Sequence, residues 1–135
     1  MRLILDTNTV LSALFKPHNS QAAVIAQWRK GGFEWLTCSW QLEELGRVLM
    51  RPKILERIEG GAQTARQVVE QMHAVCELFP LEPPFPAICR DPKDDYLVAL
   101  LVQSRASFLV TGDKDLLVLN DQHPILTVRE LIDRL

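Results

Sequence analysis

Two short runs of this chain are apolar at every position and then stop on polar residues. Leu3-Ile4-Leu5 runs into Asp6, and Phe108-Leu109-Val110 runs into Thr111-Gly112-Asp113. A strand with one wet face alternates apolar and polar side chains. An unbroken apolar run therefore implies a strand covered on both faces. Helical spacing fills the chain between the runs, beginning with Val10, Leu11, Leu14 and Phe15. Short apolar strands alternating with helices predict an α/β fold with a central, mainly parallel sheet. At 135 residues, with no repeat, low-complexity stretch or long linker, 1–135 reads as one domain.

Strands are predicted at 2–5, 33–37, 79–81, 107–111 and 125–127. Helices are predicted at 8–15, 21–30, 39–50, 53–59, 62–78 and 92–104, with a last one following Thr127. Their ends carry local signals. Gly31-Gly32 closes the second helix, Ser39 caps the third, Pro52 stops it, and Thr127-Val128-Arg129-Glu130 fits a capping box.

Composition narrows the class. The net charge of −2 excludes the pervasive positive field of a passive nucleic-acid binder. Cys38, Cys76 and Cys89 are odd in number and far apart, against both a disulfide framework and a zinc cluster. A reducing, cytoplasmic compartment fits, with no signal peptide expected. No apolar run nears the roughly 20 residues that span a membrane.

The ligand site of a parallel α/β sheet lies beyond the carboxyl ends of its strands. Asp6 and Asp113 fall there, although each also suits a helix cap or a turn. Glu44 is separated from Glu43 by helix geometry. Leu42, Leu45, Val48 and Leu49 form a buried stripe, Glu43 points away from it, and Glu44 lies on its border between Trp40 and Val48. Asp91 suits an N-cap with Pro92 at the first helical position, and Asp94 has an ordinary duty near a helix start. Asp95 then has no structural duty and is the expected member of the site, with Asp94 kept open. Two carboxylates about 4 Å apart repel by roughly 4 kcal/mol at an effective dielectric of about 20. Converging acids thus ask for a cation between them. Oxygen donors alone favour Mg²⁺ or Mn²⁺, and such ions suit phosphoryl chemistry. Asp115 is a further candidate ligand, and Asn8 is a candidate to hold the Asp6 carboxylate.

These segments together resemble the PIN domain family. The likeness is carried by Leu3-Ile4-Leu5-Asp6-Thr7-Asn8, by Leu42-Glu43-Glu44-Leu45 through Pro52-Lys53, by Arg90-Asp91-Pro92-Lys93-Asp94-Asp95-Tyr96, and by Leu109-Val110-Thr111-Gly112-Asp113-Lys114-Asp115. The resemblance implies a three-layer α/β/α sandwich and a Mg²⁺- or Mn²⁺-dependent acidic nuclease site. It places the four family acids on Asp6, Glu44, Asp95 and Asp113, a less uniform acid on Asp115, and supporting polar residues on Asn8 and Thr111. Within the family the chain is most similar to the VapC-like toxins. That implies an endoribonuclease silenced by an antitoxin protein. Water rather than the ribose 2′-OH would attack, leaving a 5′-phosphate and a 3′-hydroxyl.

Arg47, Arg51 and Lys53 follow Glu44, with Arg57 beyond them, and Lys114 sits between two acids. They are candidate contacts to an RNA backbone; a solvated face paired with Glu43 and Glu56 is the plainer alternative. Trp28, Trp35 and Trp40 are expected in the core rather than as base-stacking platforms. The 62–78 helix and the hairpin before it are the candidate surface for a homodimer or an antitoxin. A metal-dependent phosphatase wants a second Asp where Asn8 stands. A metal-binding interaction module without nuclease activity is the non-enzymatic alternative.

Overall fold

The computed structural model describes all residues, Met1–Leu135. In chain order its elements are β1 (Arg2–Leu5), α1 (Thr7–Phe15), α2 (Ser20–Arg29), β2 (Glu34–Thr37), α3 (Ser39–Leu49), α4 (Pro52–Leu55), α5 (Gly61–Val75), β3 (Glu77–Leu78), α6 (Asp95–Ser104), β4 (Phe108–Val110), α7 (Lys114–Leu117), β5 (Ile125–Leu126) and α8 (Val128–Ile132). The five strands form one sheet in the order β3-β2-β1-β4-β5, and every pairing is parallel.

The alternation of β1 sorts the core into two layers, because successive side chains leave a strand on opposite faces. Leu3 and Leu5 join Trp35 and Val110 against Val10, Val24, Leu45, Val68 and Met72 from α1, α2, α3 and α5. Ile4 points the other way, with Leu36, Leu109 and Ile125, and packs on Leu97, Leu100 and Leu101 of α6 and Leu116 of α7. This is the three-layer α/β/α sandwich.

Local chemistry sets most boundaries as expected. Gly31 takes the left-handed φ of 80° just past α2, where a side chain would be strained. Thr127 and Glu130 form the reciprocal capping box. Several differ. Ser39 is the first residue of α3, and Cys38 holds the cap position without a side-chain bond; the helix expected at 53–59 is Pro52–Leu55; and Lys114–Leu117 is a helical turn where only a turn was expected. The strand expected at 79–81 is Glu77–Leu78, because α5 ends at Val75 and the chain pairs at once with Leu36 and Thr37 of β2. The expected 92–104 helix opens with a 3-10 turn, Pro92–Asp94, and α6 begins at Asp95. The Asp91 side chain accepts the Lys93 N–H and caps that tighter turn.

The order of the strands places the site. From β1 the chain steps outward to β2 and β3, then crosses over to β4 and β5 on the other side of β1. The strand order therefore reverses between β1 and β4, and a crevice opens beyond their carboxyl ends.

Candidate active site

Register brings the first acid to its partner. Leu5 pairs with Val110, and the Asp6 N–H continues the ladder by donating to the Val110 carbonyl at 2.9 Å. Asp6 is thus beside Thr111. The Thr111 hydroxyl donates to Asp6 Oδ2 at 2.7 Å, and the Thr111 hydroxyl oxygen accepts the Asp113 N–H at 3.0 Å. Asp6 Oδ1 accepts the Asn8 backbone N–H at 3.4 Å. That is the helix-cap contact any residue at position 8 supplies; the Asn8 side chain itself is exposed. Asp6 is only 4% exposed. Burial pushes its carboxyl above the ordinary range against these hydrogen bonds, and Asp113 and Glu44 add to the rise.

Asp113 also caps α7, accepting the Asp115 N–H at 2.9 Å. Its cap and site positions are compatible, since one oxygen accepts and the other is left free of protein partners. Asp115 lies 3.8 Å from Arg90 across an exposed pair. A polar groove of about 610 Å³ runs here, lined by Asn8, Ser12, Asp113, Lys114 and Asp115 among others, with no hydrophobic side chain in it.

The helix-face reading of α3 holds: Glu43 is exposed and Glu44 half-buried. Glu44 has a partner that sequence reasoning missed. The Tyr96 hydroxyl, on a ring 7% exposed, donates to Glu44 Oε1 at 3.4 Å. A buried phenol needs an acceptor, and that was the available signal. Burial first, and then Glu44, push the Tyr96 hydroxyl well above its usual range, so it stays a donor.

At the start of α6, Asp95 carries a structural duty that leaves its second carboxylate oxygen free of protein partners. Asp95 Oδ1 accepts the backbone N–H groups of Ile88 at 3.2 Å and Cys89 at 2.8 Å. It ties the connector between β3 and α6 to the helix, a structural duty the sequence reading had denied it. Asp94 makes no capping hydrogen bond. Its carboxyl is raised to about 6, by burial first and then by Asp6, Asp113, Asp91 and Glu44. Asp94 thus stands beside Asp95 as an α6-start acid near the other three. Burial, then Asp95, push the nearby Cys89 thiol up to about 12, which leaves it protonated and inert near neutral pH.

Glu44 and Asp113 thus act on both Asp6 and Asp94, while no three acidic, Cys or His side chains close to ligand distance of a single point. The donors are carboxylate oxygens without sulfur or imidazole, a set that suits a hard divalent cation.

Among the cations, Arg47, Arg51, Lys53 and Lys114 are exposed and form no ion pair, so the expected pairing with Glu43 and Glu56 is absent. Arg57 instead stacks over Phe15, 3.8 Å from the ring centroid. Trp28 and Trp35 are buried as an edge-to-face pair at 4.8 Å. Trp40 is not in the core: it is 45% exposed.

Residues 2–115 match the family model described as the PIN domain. This chain belongs to the PIN domain family. Membership carries the nuclease class of hydrolase at a coarse level. An uncharacterised protein of Methanocaldococcus jannaschii is 24% identical over 131 residues, covering 97% of this chain and 83% of that protein. The crystal structure of VapBC2 from Rickettsia felis, bound to a DNA fragment from their promoter, shares the fold. There the TM-score is 0.59 and the identity 17%, over 93% of this chain and 97% of the other.

Proposed function

We propose that this PIN domain is a Mg²⁺- or Mn²⁺-dependent endoribonuclease and the toxin of a toxin–antitoxin pair. The observation that carries the reading is the Asp6–Thr111–Asp113 constellation at the switch point of the sheet, with Glu44 and Asp94 in electrostatic reach. Asp6, Glu44, Asp113 and the α6-start acids Asp95 and Asp94 are the residues proposed to hold the cation, and Asp115 borders them. When bound, a divalent ion supplies Lewis-acid polarisation of a phosphodiester and eases deprotonation of water. The chain's own residues do the rest. Thr111 and the Asn8 amide fix the Asp6 carboxylate, and Tyr96 fixes Glu44. Lys114 and Arg47 offer charge to the phosphates on either side of the acids.

The toxin half of the reading is supported by the likeness to a VapBC complex and by a groove of about 890 Å³ between α1, α2 and α5, lined by Leu14, Ile25, Ala26 and Val68 with polar margins. An antitoxin segment with an apolar face is the proposed occupant.

The deciding experiment incubates wild-type protein and Asp6→Asn with end-labelled single-stranded RNA in Mn²⁺, in Mg²⁺ and in EDTA. Cleavage that needs the metal, leaves a 5′-phosphate and is lost in the variant is expected. No cleavage of several RNAs by folded wild type, with metal binding intact by calorimetry, would leave a metal-binding module instead.

A further inference from the structure

Trp40 is the only one of the three tryptophans at the surface. It is held rather than loose. The Phe85 ring packs edge-to-face with it, 5.2 Å between centroids at 78°. Phe85 belongs to the connector between β3 and α6, and that connector is fastened at two points. Gln103 clamps Glu82 by a reciprocal pair of hydrogen bonds at 3.1 and 2.9 Å, and Asp95 holds the Ile88 and Cys89 amides. Ile88, 38% exposed on the same connector, adds a further exposed apolar side chain there.

The position of Trp40 is as informative as its exposure. It lies just after the carboxyl end of β2, at the end of the sheet where Asp6 sits. Along α3, Trp40, Glu44 and Arg47 stand at i, i+4 and i+7, one stripe of the helix. The stripe therefore reads aromatic, acid, cation over about 10 Å of helix axis. An apolar plane and an unpaired guanidinium flank one acid of the cluster.

We propose that Trp40, backed by Phe85, is a stacking platform for one unpaired base of the substrate beside the scissile phosphate. The proposal rests on the nuclease reading above and narrows its substrate to single strands. A duplex keeps the faces of its bases stacked on their neighbours, whereas a single strand offers each base face to an aromatic ring. Arg47 holds the backbone on the other side of Glu44. The order of groups along α3 thus sets which stretch of strand lies over the acids.

The test uses the full chain in an Asp6→Asn background with Mg²⁺, so that binding is read without cleavage. The probes are labelled single strands of about ten nucleotides, RNA and DNA of one sequence, each also made with a single abasic position moved along it. Trp40→Leu is expected to bind about five- to 150-fold more weakly, the range seen when one stacking aromatic is lost. Trp40→Phe should remain within about threefold of the parent, because a ring is kept. One abasic position should weaken the parent and leave Trp40→Leu unchanged. The salt dependence should be the same in both, since an indole releases no counterions. If Trp40→Leu does not fold, two readouts remain. Phe85→Leu should weaken binding in the same direction, and saturating oligonucleotide should change the solvent-exposed part of the parent's tryptophan emission. Equal affinity of folded Trp40→Leu, a flat abasic series or unchanged emission overturns the platform. So does a parent dimer that Trp40→Leu dissociates, which gives the patch to a second copy. Wild-type cleavage unaffected by Trp40→Leu removes the platform and leaves the nuclease reading standing. Wild type that neither binds nor cleaves RNA removes both.

Discussion

Asp94 and Asp95 are chemically identical and adjacent, and their surroundings divide their work. Asp95 holds two backbone amides, and Asn at this position keeps the acceptor oxygen but loses its charge, weakening the pair by about 1 kcal/mol. Asp95→Asn should therefore lower the melting temperature, whereas Asp94→Asn should keep the fold and remove cleavage. A fully active Asp94→Asn beside a dead Asp95→Asn with unchanged melting would give the role to Asp95 alone. The raised Asp94 carboxyl makes a second expectation at this scale. A carboxyl whose folded pKa is raised binds its proton more tightly when folded. Its contribution is then most favourable below the unfolded value of about 4, and is lost as pH rises through about 6. Melts in EDTA should show this decline between about pH 4 and 6 in wild type, and less of it in Asp94→Asn. Excess Mg²⁺ should restore stability at pH 7 in wild type, because a cation binds the charged form. An identical pH profile in the two proteins would show that Asp94 does not feel the cluster.

At the scale of the element, one side chain joins the strands that carry the site. Gln41 on α3 is fully buried; its Nε2 donates to the Leu5 carbonyl at 2.6 Å, and its Oε1 accepts the Thr37 hydroxyl at 2.6 Å. It bridges the last residue of β1 to the last of β2, just where Asp6 leaves the sheet. Gln41→Leu would leave a buried carbonyl and a buried hydroxyl without partners, at about 1–3 kcal/mol each. The variant should unfold at lower denaturant with an unchanged slope, and its metal binding should weaken as Asp6 loses its support. A midpoint within error of wild type would show that water satisfies both groups. The same helix carries Trp40, Glu44 and Arg47 on a neighbouring stripe, so α3 both buttresses the sheet and presents the site.

Across the whole molecule, the acids and the α1–α2–α5 groove lie in different places, and they should fail separately. Ala26 lines the groove without touching any acid of the site. Ala26→Arg should weaken association with the antitoxin proposed above by about tenfold or more, while RNA cleavage by the free protein stays at wild-type level. Binding measured by calorimetry and cleavage on the same preparations would check both halves. Loss of cleavage with intact association would reverse the assignment of the two surfaces.

Much of this architecture could be read from order and spacing. The apolar runs at 3–5 and 108–110 had to be covered on both faces, and the helical stripe on α3 separated Glu44 from Glu43, because strand and helix periods are local properties of the backbone. The strand-end positions of Asp6 and Asp113 follow from the same local reasoning. What only the tertiary structure decided are the contacts made across long stretches of chain: Thr111 on Asp6, Tyr96 on Glu44, Gln41 between two strand ends, and Phe85 against Trp40. Asp95, just after a 3-10 turn, holds the Ile88 and Cys89 amides of the connector. Periodicity cannot see such contacts, since they depend on where a neighbouring segment offers its amides.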